Sequence, residues 1–227
     1  MQAYNYMPCP ESSPVTGDRR KFSRQNEDAR RSALIDAAID LVADGGPAKA
    51  TVRAIAEQAG VTPGLIRHYF STKEALMRAA YAQVMDGMTE ASLAVLATAP
   101  DRPEARLALF VAASLRAPVV DGRAMGLWAG FLHQMRQDEE MRAAHEAGYL
   151  HYRDLLQGLI AELPRAVVGA RLRADAIACN AVIDGLWLEG SALPHAFAVG
   201  ELEQIGLQAV GAILGLDLAA QMPEKDK

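Results

Sequence analysis

The feature that most constrains the fold is a twenty-residue segment at positions 51–70, TVRAIAEQAGVTPGLIRHYF. Its apolar residues predict two short helices separated by Gly60, and helices this short pack only if they cross closely at a sharp angle. The crossing needs a small side chain on the first helix, glycine in the turn and an aliphatic side chain on the second. Ala56, Gly60 and Ile66 supply these three. The segment therefore predicts a helix-turn-helix, because an ordinary helical hairpin would leave the short second helix unexplained.

Helical spacing of apolar residues continues along the rest of the chain, and no stretch alternates like a strand. Asn26 is expected to cap the first helix, which ends at Gly45, and Thr62 is expected to cap the helix that opens at Pro63. Ser71 to Glu74 is expected to be a capping box for a long helix that reaches about Thr98. Further helices are predicted at 103–117, 122–137, 139–163, 173–191 and 201–216. The chain is expected to be all-α.

Charge and composition narrow the class of function. The net charge of −5 hides a basic segment, since residues 19–73 hold ten Lys or Arg against six Asp or Glu. A basic head on an acidic body indicates local DNA contact, although uneven surface charge could produce the same split. Cys9 and Cys179 and the five histidines lack metal-ligand spacing, and there is no phosphate loop or nucleophile elbow. We expect no metal, no cofactor and no catalytic residue, and therefore no enzyme. No apolar run of membrane-spanning length occurs, so a cytoplasmic protein without membrane contact is expected.

The run from Thr51 to Leu76 resembles the signature of the TetR family, through Gly60-Val61-Thr62, His68-Tyr69-Phe70 and Lys73-Glu74-Ala75-Leu76. Met125, Trp128 and Phe131, together with Ile183-Asp184-Gly185-Leu186-Trp187-Leu188, resemble the sensor domain of the choline-responsive BetI-type subgroup. Arg67 and Glu189 depart from that subgroup's pattern, which leaves operator and effector open.

The resemblance implies a transcriptional repressor with an N-terminal three-helix DNA-binding domain and a helical-bundle domain that dimerises and binds a small molecule. The predicted boundaries are a disordered basic tail at 1–24, a DNA-binding domain at 25–75 and a ligand-binding and dimerisation domain at 76–220. The tail is either a soluble extension or a basic arm that contacts DNA. The expected partners are a second copy of the chain, a palindromic operator in double-stranded DNA and an effector.

The resemblance also assigns roles at the DNA. Pro63 and Gly64 let the backbone approach the bases, and Arg67 is the best candidate for a bidentate contact to guanine. The remaining expected DNA-binding residues, several of which match family positions that hold phosphates, are Thr51, Arg53, Thr62, His68, Tyr69 and Lys73. Thr51 and Thr62 are also explained as helix caps, and Tyr69 by packing against the first helix.

The sensor domain offers aromatic candidates for effector binding, although aromatic residues at helical spacing more often form a core. The expected ligand-binding residues are Trp128, Phe131, Tyr149, Tyr152, Asp184 and Trp187. The Asp184 carboxylate shares a helical face with apolar residues, so it needs either an arginine across a dimer interface or a cationic ligand. Choline or betaine aldehyde is the expected effector, and an uncharged hydrophobic molecule is the alternative. The helices after residue 173 carry the apolar faces expected at the dimer interface.

Overall fold

The computed structural model describes residues 16–136 and 138–222, with side chains from residue 27 onward except that of residue 133. Every regular element in these residues is a helix, which confirms the predicted all-α fold. The helices are α1 (Thr16–Gly45), α2 (Val52–Gln58), α3 (Gly64–Phe70), α4 (Lys73–Ala94), α5 (Pro103–Ser114), α6 (Gly122–Met135), α7 (Glu139–Ala161), α8 (Gly169–Ala192) and α9 (Glu201–Leu214). Short 3-10 turns follow α4 at Val95–Ala97 and α9 at Ala219–Gln221. None of the described helices combines the length and the apolar character needed to cross a membrane.

The start of α1 differs from the prediction. The helix begins at Thr16, so Asn26 lies inside it and is not its cap. The residues before Asn26 include Arg and Gln, which are good helix formers, so a possible capping residue does not interrupt the helix there. Residues 1–15 of the predicted tail lie outside the described residues, as do the side chains of Arg19 to Arg24. The expected contact of these basic residues with DNA stays a prediction.

The junction between α3 and α4 is tight. Ser71 has a φ of 64°, in the left-handed region, and ends α3. Thr72 then caps α4, because the Ala75 amide donates a hydrogen bond of 3.1 Å to its hydroxyl oxygen. The predicted capping box from Ser71 to Glu74 is therefore wrong, because Thr72 is the N-cap and Ala75, at the third helical position, has no side chain that can return a hydrogen bond. Two residues link the helices, which fixes the angle between α3 and α4.

The helices surround two apolar cores. The head core lies among α1 to α4 and includes Leu34, Ile55, Ile66 and Tyr81, all fully buried. Because Tyr81 belongs to it, the head extends into α4 beyond the boundary predicted at residue 75. The body core is formed mainly by α5, α7, α8 and α9, with fully buried residues such as Leu107, Phe110, Leu156 and Val210.

Helix α6 belongs to both cores. Its Leu127, Phe131 and Met135 side chains are buried in the head core, whereas Trp128 packs against the body core. A Cβ atom added at Gly130 would lie 3.2 Å from Pro47, so the α6 backbone contacts the loop that follows α1. An ion pair between Arg123 and Asp40 joins α6 to α1 on the half-exposed surface. A movement of α6 in the body would therefore act directly on the head.

Candidate DNA-binding face and internal cavity

The helix-turn-helix is assembled as its residue types require. Ile55, Ala56 and Ile66 are buried where α2 and α3 meet. Gly60 has a φ of 65°, a conformation that glycine adopts without steric cost, and the Val61 amide donates to the Ala56 carbonyl oxygen at 2.9 Å. Thr51 caps α2, since the Ala54 amide donates to its hydroxyl oxygen at 3.1 Å. The cap role predicted for Thr51 is confirmed.

The outer surface of this motif, which we call the recognition face, carries most of the residues expected to contact DNA. Those that are exposed are Thr51, Arg53, Thr62, Pro63, Gly64, Arg67 and His68. Nothing lies within 4 Å of a Cβ atom built on Gly64, so the backbone there is open to an approaching molecule. Within the described part of the chain, Arg53, Arg67 and Lys73 form no ion pair. Their charge is therefore available to phosphates.

Thr62, one of these exposed residues, differs from the prediction, and the two remaining DNA candidates, Tyr69 and Lys73, are half-buried. Pro63, not Thr62, occupies the N-cap of α3, and no side chain caps that helix. The cap role predicted for Thr62 is therefore wrong: Thr62 stabilises the turn into α3 through its carbonyl oxygen, which accepts from the Leu65 amide at 3.0 Å. Tyr69 is half-buried against the head core and lies edge-on to His68, 5.0 Å away. Lys73 is half-buried in the first turn of α4.

The body contains a cavity of about 320 Å³ whose lining comes from α4 to α8 and from Val119. Four of the aromatic residues expected to bind an effector line it, namely Trp128, Tyr149, Tyr152 and Trp187. The two indole rings meet edge to face, 5.9 Å apart, and the Trp187 indole N–H donates to the Val119 carbonyl oxygen at 2.8 Å. The Tyr152 hydroxyl donates to Ser114 Oγ at 2.7 Å. These hydrogen bonds hold the Trp187 and Tyr152 rings in place at the cavity wall.

Asp184 is the carboxylate of the cavity. Its Oδ2 atom accepts hydrogen bonds from the Tyr149 hydroxyl and, at 2.8 Å, from the Asn180 amide. Burial raises the pKa of Asp184, and the bonds from Tyr149 and Asn180 oppose that shift. Burial together with the Asp184 carboxylate raises the pKa of Tyr149 to about 12. No lysine or arginine among the described residues forms an ion pair with Asp184. Among the described residues the Asp184 carboxylate is thus hydrogen-bonded but forms no salt bridge, and His145 is a nearby basic group whose charge acts on it.

His145 connects this cavity to the head. It lines the cavity, and its Nδ1 atom is hydrogen-bonded at 2.5 Å to the hydroxyl of Tyr81, a residue of the head core. Tyr81 in turn lies edge-on to Phe131, with ring centroids 5.1 Å apart. Burial lowers the pKa of His145, whereas the nearby Asp184 acts in the opposite direction. The contact forms a second physical link between the cavity and the head.

Phe131 does not line the cavity, unlike the other five residues predicted with it. It is fully buried in the head core. The prediction grouped the two residues because they occur in one short motif. Residues three positions apart are only about 60° apart around a helix, so these two side chains meet different cores because α6 lies along the boundary between the cores.

Several residues of the cavity were missed by reasoning from the sequence. They are Met85, Met88, Thr89, Ser92, Ser114 and His145. The buried hydroxyls offered a weak signal, since Thr89 and Ser92 occur on the otherwise apolar side of α4. Each of these hydroxyls bonds to a carbonyl four residues earlier in its own helix, so a purely structural role explained them equally well from sequence.

The predicted dimer faces are only partly exposed. Val210 and Leu214 of α9 are buried inside the chain, so they cannot form an interface. Ile177 and Leu188 of α8 and Ile205 of α9 are exposed by 40%, 43% and 37%.

Both the N-terminal and the C-terminal part of the chain match known protein families. The family model for bacterial regulatory proteins of the TetR family matches residues 34–80, and the model for the C-terminal domain of BetI-type transcriptional repressors matches residues 103–215. The HTH-type transcriptional regulator BetI of Burkholderia thailandensis is 32% identical over 162 residues, which are 71% of this chain and 82% of that protein.

Solved structures share the fold. A transcriptional regulator of Pseudomonas aeruginosa PAO1 has a TM-score of 0.77 and 29% identity, covering 89% of this chain and 98% of its own. A regulator of Saccharomonospora viridis, solved in complex with choline, has a TM-score of 0.64 and 19% identity, covering 78% of this chain and 92% of its own. At that identity the likeness shows the fold alone.

These relatives are transcriptional regulators and not enzymes, which confirms the predicted class of function. Regulators of this family bind DNA operators and small-molecule effectors, and they act as dimers. The chain belongs to the TetR family of transcriptional regulators, with a C-terminal domain of the BetI type.

Proposed function

We propose that the chain is a repressor that binds a palindromic operator as a two-fold dimer and is controlled by a small organic cation, of the choline or betaine-aldehyde type, in the cavity. The observation that carries the effector is the carboxylate of Asp184 among aromatic faces. Release of DNA on effector binding is the expected direction of control.

Support for the DNA contact comes from the recognition face. The α3 helix is seven residues long, with Pro63 and Gly64 open at its start and Arg67 exposed one turn later. A helix that enters the major groove with its N-terminus leading brings such an arginine to the base edges, where its planar group matches guanine. Thr51, His68 and Lys73 then hold phosphates and set the register. One short helix makes few base contacts, so two copies related by a two-fold axis are needed for tight binding.

Support for a cationic effector comes from the cavity chemistry. A quaternary ammonium has no N–H to donate, so it is held by aromatic faces, each contributing about 0.5–2 kcal/mol. Trp128, Trp187 and Tyr149 line the cavity together with Asp184, whose carboxylate forms no ion pair with a lysine or arginine of the described residues. The volume, about 320 Å³, is at the small end for ligand sites, which favours a small molecule. The choline complex of the Saccharomonospora viridis regulator agrees with this assignment.

An uncharged hydrophobic effector is the second candidate. Met85, Met88, Ile183 and Leu188 provide apolar walls that suit such a molecule. Calorimetry with choline, betaine aldehyde and the uncharged isostere 3,3-dimethylbutanol separates the two. We expect the cations to bind more tightly, and equal affinity for charged and uncharged molecules would contradict the cation cage. A Trp128→Leu variant should lose affinity for the cations while retaining most of its affinity for the isostere.

Transmission to the DNA follows from α6. A cation held against Trp128 acts on the helix whose next turn carries Phe131 in the head core and whose backbone contacts Pro47. A shift of α6 relative to α1 therefore changes the position of the recognition face in each subunit. The Tyr81–His145 hydrogen bond provides a parallel route.

A mobility-shift assay tests the whole proposal. DNA from upstream of the gene should be retarded by the protein and released by choline or betaine aldehyde, with fragmented genomic DNA as the source of other operators. Failure to retard any fragment above the level of non-specific DNA would contradict the repressor function. Retardation that no cation reverses would contradict the effector alone.

A further inference from the structure

The cavity is not closed by its own chain. Tyr149, Gly185 and Leu188 line it and are also exposed, whereas Thr89, Ser114 and Trp187 form its buried interior. The exposed fraction is 37% for Tyr149 and 43% for Leu188. The cavity therefore has a mouth at the surface, formed by α7 and α8.

The position of this mouth on α8 follows from helix geometry, in which successive residues are turned by about 100°. Ile183 and Trp187 lie on the cavity side of α8, and Leu186 lies on the side where α9 packs, close to Gly206. Ile177 and Leu188 lie between these two sides and are exposed. The exposed side of α8 thus begins at the mouth of the cavity and continues toward α9.

The middle of this exposed side lacks the charge that a solvated helix face carries. From Ile177 to Leu188 its exposed residues are Ile177, Ala178, Ala181, Gly185 and Leu188, none of them charged, and the exposed charged residues Arg171, Arg173 and Glu189 flank this stretch at its two ends. A solvent-facing helix surface normally holds charged and polar side chains. On α9, Ile205 is exposed by 37%, and Ala212 is exposed two turns later. The small side chains allow another helix to approach closely, and the three larger aliphatic side chains supply apolar contact area.

We propose that a second copy of the chain covers this face and closes the mouth of the cavity, so that effector binding and dimer formation are thermodynamically linked. The inference rests on the dimer and the effector cavity of the proposed function. It goes beyond them because the cavity of each subunit is incomplete without the other. A second copy is the occupant that fits, because a patch without charge is complementary to itself across a two-fold axis, and Leu188 belongs to both the mouth and the patch.

The protein carries its own probe of the mouth. It has two tryptophans, Trp128 and Trp187, and both line the cavity. Quenching of their fluorescence by acrylamide therefore measures access to the cavity without any knowledge of the effector. The experiment compares the wild-type dimer with an Ile177→Lys, Ile205→Lys double variant of the full-length chain. Neither residue lines the cavity, and both are exposed, so the change leaves the fold of the subunit intact, which circular dichroism checks.

The matched control is Val168→Lys, which adds the same charge at an apolar residue that is 81% exposed and lies outside the face. We expect the double variant to sediment as a monomer with a raised acrylamide quenching constant, and the control to match the wild type in both measurements. A monomeric double variant with the wild-type quenching constant would overturn the closure of the mouth. A double variant that stays dimeric would place the interface elsewhere and would overturn the proposal as well.

Choline itself supplies the second measurement. Because coupling between two equilibria is reciprocal and typically changes affinity about 5–150-fold, choline should tighten the wild-type dimer, and the monomeric variant should bind choline more weakly by a factor in that range. If the double variant shows the raised quenching constant but choline affects neither protein, choline is refuted as the effector. The closure of the mouth by the second copy would still be supported. Equal choline affinity of monomer and dimer would refute the linkage.

Discussion

The recognition face and the cavity differ in where their side chains point, outward to solvent in the first and into the protein in the second. The face presents exposed residues of one short segment, positions 51–73, to a partner outside the molecule. The cavity instead gathers residues from five helices, between Met85 and Leu188, around an internal space that opens at the surface between α7 and α8. A surface can therefore change its specificity through one substitution with little effect on the fold, whereas the cavity shares helices with the cores, so a substitution there affects binding and stability together. Helix α6, which contributes to the cavity and to the head core, is where the two regions meet.

The largest effect should appear when the head-core and body-core residues of α6 are substituted separately. Phe131→Ala should lower the free energy of unfolding by about 3–5 kcal/mol, because it leaves a cavity in the head core. Trp128→Leu, three residues earlier, should cost less stability and act mainly on choline affinity, because Trp128 is only partly buried. Urea unfolding and calorimetry measure both. If Phe131→Ala left stability unchanged and abolished choline binding, Phe131 would belong to the cavity after all.

The next effect concerns the recognition face alone. Arg67→Ala should weaken operator binding by about 1–3 kcal/mol and relax the preference at one base pair of each half-site. Lys73→Ala is the matched control, since loss of a phosphate contact should weaken all DNA similarly and reduce the salt dependence. Binding to operators with each base pair changed distinguishes these outcomes. Unchanged discrimination in Arg67→Ala would show that another residue reads the bases.

The cavity should respond to pH through Asp184. Its pKa is raised in the folded protein, so lowering the pH through that pKa protonates the carboxylate and should weaken choline binding. Protonation of His145, whose pKa is lowered, adds a positive charge beside the cavity. It should therefore also weaken choline binding, in a titration step separate from that of Asp184. Asp184→Asn should cost about 2 kcal/mol of choline affinity at neutral pH and remove the Asp184 step. A wild-type affinity that stays constant from neutral to acidic pH would mean that no cation contacts this carboxylate.

The smallest effect should appear at the ion pair between head and body. Arg123→Ala should change stability by about 0.2–1 kcal/mol, because the Arg123–Asp40 pair is half-exposed. Its main effect should be on communication, measured as the ratio of operator affinities with and without choline. Asp40→Ala and the double variant complete the cycle, in which a coupling energy near zero would assign transmission to other contacts, such as Tyr81 with His145.

The two regions also differ in what their sequence revealed. The helix-turn-helix could be predicted because Ala56, Gly60 and Ile66 are local requirements of one crossing, and each lies where the crossing needs it. The cavity could be predicted only for conspicuous residue types, such as Trp128 and Asp184. His145 and Ser114 could not be found, because their role depends on packing among helices that are distant in the sequence. Phe131 was misplaced for the same reason, since its motif does not show which core its side chain enters.

The division of α6 between two cores sets out which positions can be changed to obtain a new sensor. Leu127, Phe131 and Met135 support the DNA-binding head whatever molecule occupies the cavity, so substitutions at these positions would weaken DNA binding. Trp128 can change its chemistry while Gly130, two residues further along α6, keeps its contact with Pro47. A library restricted to Trp128 and the cavity-lining positions of α4, α7 and α8, with His145 left unchanged, would search for new inputs while retaining the same gene-regulatory response.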